Sequence, residues 1–210
     1  MRFKILFIAL FISSFCFSQQ VISQKTEIIK TNNGFQLLRN GKPYYVKGAG
    51  GTEYLDVLKS IGGNSIRTWS TGDAKKVLDN AYANGISVCL GFWVGHERHG
   101  FNYNDEYAIL AQLKAFEQDV IKYKDHPALL MWAIGNEVDL FYKNFRVWNA
   151  VEDIAKMIKE LDPNHPTMTV TAGIDPAEVF MIKKYCPSID ILGINTYGGI
   201  KNLSNEVRMY

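Results

Sequence analysis

Apolar and polar residues alternate along this chain in a repeating order: a short apolar run, a turn, an amphipathic stretch, then another apolar run. Ile86–Trp93 and Leu129–Ile134 are apolar almost without a break, short, and bounded by turn residues, which predicts strands buried on both faces. Ser65–Trp69, Thr167–Val170 and Ile189–Ile194 are shorter runs of the same kind. Tyr44–Val46, running into Gly48, predicts the first strand of the series. Helical spacing predicts Glu53–Ser60 (Leu55, Leu58, then Ile61) and Asp73–Asn84 (Val77, Leu78, Ala81, Tyr82). It also predicts Glu106–Tyr123, Arg146–Leu161 (Val147, Val151, Ile154, Ile158, Leu161) and Ala177–Tyr185. Gly62-Gly63 and Gly85 end the first two helices. Ahead of the series, Glu27–Lys30 and Gln36–Arg39 flank Asn32-Asn33-Gly34, a hairpin signal, and Asn40-Gly41 supplies a second turn.

Doubly apolar strands alternating with amphipathic helices predict an α/β fold with a parallel sheet covered by helices. A doubly wound open sheet and a (β/α)8 TIM barrel both fit. The dinucleotide signal of the open sheet is missing: Gly48-Ala49-Gly50-Gly51 lacks the G-x-G-x-x-G spacing, with Glu53 where the last glycine belongs. There is no phosphate-loop lysine motif either. The expected architecture is therefore the barrel, with about six βα units present and an N-terminal hairpin before them.

The first residues stand outside this pattern. Arg2 and Lys4 precede an apolar run from Ile5 to Phe17, and Ser18 stands before Gln19-Gln20. That order is a secretory signal peptide, and about 13 apolar residues fall short of the roughly 20 needed for a span. The expected organisation is a signal over 1–18, a hairpin lead-in over 19–43 and a partial catalytic barrel over 44–210. The product would be exported to the periplasm, cell surface or medium, with no membrane attachment after cleavage. Arg2 and Lys4 leave with the signal, which brings the 23 basic residues level with the 21 acidic ones. With that balance and no basic cluster, nucleic acid is not an expected partner. Cys89 and Cys186 each adjoin a predicted strand and read as small core residues rather than a disulfide.

The chemistry concentrates at the strand ends. Trp132-Ala133-Ile134-Gly135-Asn136-Glu137 places an amide and a carboxylate just past an apolar strand, the face where a barrel keeps its active site. Desolvation there would favour the protonated carboxyl that a general acid needs. The spacing alone fits equally well an Asn-Glu pair capping the next helix. Arg67 ends the second barrel strand, and a guanidinium there must be paired. Tyr197 follows the sixth strand. His96 and His99, in His96-Glu97-Arg98-His99, are three apart after a strand, not four apart on a helix, so no metal site is expected. On an active-face loop these histidines and the acid between them, Glu97, are suited to hydrogen-bonding sugar hydroxyls. Trp69 and Trp93 offer flat faces for a sugar ring or for core packing. Glu53 is expected to start its helix. No cofactor is called for.

These segments resemble the clan of retaining β-glycosidases built on (β/α)8 barrels, nearest to the catalytic barrel of family 2 glycoside hydrolases, with some likeness to β-1,3-glucan transferases. The residues that carry it are Asn40-Gly41-Lys42-Pro43 through Gly48, Gly63-Asn64-Ser65-Ile66-Arg67-Thr68-Trp69, Gly85 through Val88, His126-Pro127-Ala128 through Glu137, and Asn195-Thr196-Tyr197. The resemblance implies an oligo- or polysaccharide substrate. It makes Glu137 the acid/base, Asn136 the partner of the sugar 2-hydroxyl, Arg67 the arginine beside the nucleophile and Tyr197 the tyrosine that touches it. The second carboxylate of a double displacement should end a seventh strand, and only six are counted. Glu206 follows Tyr197 by nine residues, too few for a crossover and a strand. The expectation is a chain that lacks its nucleophile, from truncation or as a fragment, and does not hydrolyse by double displacement as it stands. A transglycosylase, a carbohydrate-binding remnant and a non-carbohydrate barrel using Glu137 as general base remain open.

Overall fold

The computed structural model describes residues 24–173 and 175–198. The signal-like segment and Glu206 lie outside the described residues.

The chain opens with an antiparallel sheet of β1 (Thr26–Thr31), β2 (Gly34–Arg39) and β3 (Lys42–Pro43), in that order. Asn32-Asn33 forms the first two-residue turn, with Thr31 opposite Gly34. In the second turn Asn40 (φ 53) and Gly41 (φ 72) are both left-handed, and Arg39 pairs with Lys42. Those dihedrals belong to a turn whose twist matches the strands it joins, which is why Asn-Gly sits there.

Six parallel strands follow: β4 (Gly48–Gly50), β5 (Ser65–Arg67), β6 (Ser87–Phe92), β7 (Leu129–Ile134), β8 (Thr167–Ala172) and β9 (Ile191–Asn195). They lie side by side in chain order, without a reversal. A doubly wound sheet reverses its order at a switch point, so the sequential order decides for the barrel architecture. The intervening helices are α1 (Leu55–Ser60), α2 (Ala74–Ala83), α3 (Glu106–Tyr123), α4 (Arg146–Leu161) and α5 (Pro176–Tyr185). Asp105 caps α3 by accepting the Ala108 amide, and Asp175 caps α5 through Ala177, with Pro176 in its first turn. Pro at that position forfeits no hydrogen bond.

One expected strand moves. Tyr44–Val46 is not in the parallel sheet, whose first strand is Gly48–Gly50. Tyr44 continues the hairpin ladder instead, donating its amide to Leu37. Its hydroxyl meets the Asn64 carbonyl and Ser87 Oγ, each at 2.8 Å, at the N-terminal ends of β5 and β6. Tyr82, expected on the inner face of α2, is 60% exposed, while Leu78 and Ala81 are buried as their spacing requires.

Two apolar clusters result. Val88, Leu90, Phe92, Leu129, Trp132 and Ile134 face the helices and meet Val120, Val147, Trp148, Val151, Ile154 and Ile158. Each fully buried aliphatic side chain of this kind contributes about 1.5–3 kcal/mol by leaving water. Inside the curve of the sheet a smaller cluster joins Cys89, Leu130, Met131 and Ala133, with Leu37 and Tyr44 packed on it from the hairpin. Cys89 and Cys186 are both free and buried. The hairpin is tied to the barrel's N-terminal end by Arg39 Nη2 donating to the Pro127 carbonyl (2.7 Å) and by the Thr26 amide donating to Asn164. A cavity of about 810 Å³ lies between Phe35 and Leu37 of the hairpin and the sheet residues Ile66, Met131, Met168 and Ile191. Among the described residues no helix is long and apolar enough to cross a membrane.

Candidate active site

The C-terminal ends of β5, β7 and β9 bring Arg67, Asn136, Glu137, Asn195 and Tyr197 into one network. Arg67 Nη2 donates to Asn136 Oδ1 at 2.8 Å, and Nη1 to Asn195 Oδ1 at 3.4 Å. Asn195 Nδ2 in turn donates to Asn136 Oδ1 (3.0 Å) and to Glu137 Oε1 (2.7 Å). The Tyr197 hydroxyl donates to the same Glu137 oxygen at 3.2 Å. Three strands thus fix one amide and one carboxylate, and Glu137 Oε2 takes no hydrogen bond from these residues.

The structure adds several details to the sequence expectation. Among the described residues Arg67 is paired with amides, not with a carboxylate, and its Nε has no partner. Burial lowers its pKa, and the charge of Glu137 works in the opposite direction. Tyr197, expected beside a nucleophile, is bonded to Glu137 and is 84% exposed. The charge of Glu137 and the hydrogen bond between them raise its pKa. Glu137 is half-exposed rather than buried, so it has access to a ligand without leaving the network. Its backbone is left-handed (φ 55), and its amide donates to Val170 on β8 at 2.7 Å. The helix-capping alternative fails: α4 begins nine residues later, at Arg146.

Trp69 is 41% exposed, with the Arg67 guanidinium 5.7 Å from its ring centroid. Its ring lies across Gly50, where an added Cβ would come within 2.9 Å of it. Trp93, 44% exposed, belongs to a separate cluster. Its ring stacks on His96 at 4.8 Å, and His99 lies 5.0 Å from His96 and 6.2 Å from Trp93. Glu97–His99 forms a 3-10 turn. Among the described residues no three His, Cys, Asp or Glu side chains converge as metal ligands would. His99 is exposed, but His96 is only 4% exposed and neither ring nitrogen has a hydrogen-bond partner of good geometry. Glu53 precedes α1 and is exposed.

Burial pushes the His96 pKa down to about 4; Arg98 and His99 add to this, while the Asn136 carbonyl and Glu137 oppose it. The unfolded chain binds a proton on this residue near its ordinary value of 6.5, so stability is lost as pH falls from there toward 4. Urea unfolding of wild type and His96→Phe across that range checks it. The difference between the two proteins should shrink on acidification; a difference constant with pH would refute a neutral buried imidazole.

Asn195 and Asp139 were not singled out in the sequence. Asn195 carries the signal used for Asn136, a polar amide at the end of an apolar strand. Asp139, buried two residues after Glu137, accepts the Ala172 amide through both oxygens (2.9 and 3.2 Å). Burial raises its pKa, the Ala172 hydrogen bond opposes this, and the neighbouring Glu137 adds to it. No sequence pattern separates Asp139 from a surface aspartate.

The family model "Glycosyl hydrolases family 2, TIM barrel domain" matches residues 52–202. The chain belongs to this family. Among relatives, a β-glucuronidase of Chlorocebus aethiops is 28% identical over 181 residues, covering 77% of this chain and 26% of the relative. A β-glucuronidase of Paenibacillus borealis is 29% identical over 194 residues, covering 78% and 30%. The chain therefore spans about a quarter to a third of the length of these relatives. A β-D-glucuronidase structure from Dictyoglomus thermophilum aligns with a TM-score of 0.69 at 20% identity, over 88% of this chain and 36% of that one. A family 2 β-galacturonidase from Eisenbergiella tayi gives 0.67 at 18%, over 88% and 35%. At those identities the structures speak for the shared family 2 barrel fold.

Proposed function

We propose that this chain carries the acid/base side of a retaining β-glycosidase site, with Glu137 as the acid/base and β-glucuronides as the substrate class. The observation that carries the reading is the fixed Glu137 carboxylate, gripped on one oxygen by Asn195 and Tyr197 and, among the described residues, taking no hydrogen bond on the other. A general acid must be held in place and still reach the leaving oxygen, and this arrangement does both. Asn136, locked by Arg67 and Asn195, is the amide for the sugar 2-hydroxyl. Trp69, Trp93 and His99 are placed for sugar contact, while His96 supports Trp93 and His99 from beneath. The β-glucuronidase relatives support the choice of uronic glycosides.

Double displacement also requires a second carboxylate about 5–5.5 Å from the first. The test is to read the gene beyond codon 210 and to assay its full product on aryl and alkyl β-glucuronides and β-glucosides, following the anomer first released by NMR. Release of the β-anomer supports the reading. Absence of cleavage across the panel, with sugar still bound, would favour the binding remnant, and glycosyl transfer to added acceptor would favour the transglycosylase. Residues 1–18 support action outside the cytoplasm; an exported product beginning after Ser18 is expected on N-terminal sequencing, and an intact Met1 would count against it.

A further inference from the structure

Segment 137–145 carries Glu137 and is restrained at one end by strand β8 and at the other by the turn after β6. At its start the Glu137 amide donates to Val170, and Asp139 takes the Ala172 amide. Within it Glu137 (φ 55) and Phe141 (φ 60) are both left-handed. Non-glycine residues keep such a conformation only where the surroundings over-determine it. At its far end the segment meets α4, whose first amide, on Arg146, donates to Asn144 Oδ1 at 3.1 Å. The two amides just before that turn find their acceptor after β6. Glu97 Oε2 takes the backbone amides of Lys143 (2.5 Å) and Asn144 (2.8 Å). Backbone amides that lack a partner in their own segment need such an acceptor. The other ties at this end run through side chains, from Asn144 Nδ2 to Asn104 and from Arg146 to the Tyr103 carbonyl and Glu106.

We propose that Glu97 is a positioning residue for Glu137. By clasping the Lys143 and Asn144 amides it fixes the far end of the segment, which holds Glu137 left-handed with its carboxylate against Asn195 and Tyr197. The catalytic meaning rests on the acid/base reading of Glu137, but the clasp is testable without turnover. Asn195 is the reporter: it donates to Glu137 and hydrogen-bonds to neither Glu97 nor residues 143–144.

The experiment is hydrogen exchange by NMR on the full chain, comparing wild type, Glu97→Gln and Glu97→Asp. Glutamine keeps the reach and an acceptor oxygen but not the charge; aspartate keeps the charge and is one methylene short. In Glu97→Asp the Lys143 and Asn144 amides and the Asn195 carboxamide should exchange about tenfold faster or more, with Glu97→Gln within about threefold of wild type. An Asn195 carboxamide unmoved in Glu97→Asp overturns the proposal. So does a glutamine variant disturbed as much as the aspartate one, because glutamine keeps both the reach and the acceptor on which the clasp depends. The acid/base reading fails separately, if Glu137→Gln leaves turnover of poor-leaving-group glycosides unchanged.

Discussion

Glu137→Gln should slow cleavage of alkyl glycosides by about 10²–10⁴-fold, the usual contribution of a general acid, while glycosides of very acidic phenols lose far less in the bond-breaking step. The reason lies in what glutamine keeps. Its carbonyl oxygen still accepts from Asn195 Nδ2 and Tyr197, so the side chain stays where Glu137 Oε1 is held. Only the transferable proton is lost. A phenolate leaving group of low pKa needs no proton, whereas an alkoxide does. Steady-state kinetics of the full gene product on a leaving-group series checks this. Equal losses across the series would mean that Glu137 binds or holds the fold together and donates no proton. Azide, which attacks without a base, should speed turnover of an activated glycoside by Glu137→Ala, because the second step no longer needs water to be deprotonated.

Asp162→Ala should cost about 3–5 kcal/mol, as expected when a buried, fully engaged carboxylate is removed. Asp162 is 2% exposed at the C-terminal end of α4. Its Oδ2 accepts from Trp132 Nε1 (2.7 Å) and meets His165 Nδ1 (2.8 Å), while Oδ1 accepts the Asn164 amide at 3.1 Å. Alanine would strand two buried ring donors at once, on Trp132 of β7 and on His165 before β8. For a domain of this size the midpoint should fall by roughly 8–15 °C. Asp162→Asn retains an acceptor for the indole and should lose less. Urea unfolding of the three proteins decides; an alanine variant within 1 kcal/mol of wild type, on the order of a surface change, would mean that water replaces the carboxylate.

The elements were legible to the extent that burial was uniform. Glu106–Tyr123, Leu129–Ile134 and Arg146–Leu161 run between the residues that periodicity indicates, because each packs one unbroken face or, for the strand, two. Tyr44–Val46 misled for the opposite reason. It is as apolar as a barrel strand, but the Asn40-Gly41 turn folds it back along β2, and Tyr45 is 81% exposed. The barrel strand beside it, Gly48-Ala49-Gly50, has no large apolar side chain to announce it. At the site, Asn136, Glu137 and Arg67 were visible as polar residues ending apolar strands. The backbone partners of Glu97, read in the sequence as an acid for sugar hydroxyls, and of Asp139 were not visible, since a carboxylate that receives amides from a distant segment looks the same in sequence as one in water.

The order of elements, the parallel sheet and the strand ends that bear chemistry were all legible in the chain, because hydrophobic period and turn residues act over a few neighbours. Family membership was readable too, from motifs confined to single segments. Tertiary structure alone decided that the strands lie in unbroken sequential order and that Arg67 pairs with two amides in place of a carboxylate. It also shows that Tyr197 hydrogen-bonds Glu137 and that His96 is buried against Trp93 and His99. Each of these depends on groups from 17 to 128 residues apart meeting within hydrogen-bond distance, or on a loop's closing over a side chain, and no local pattern encodes such a meeting.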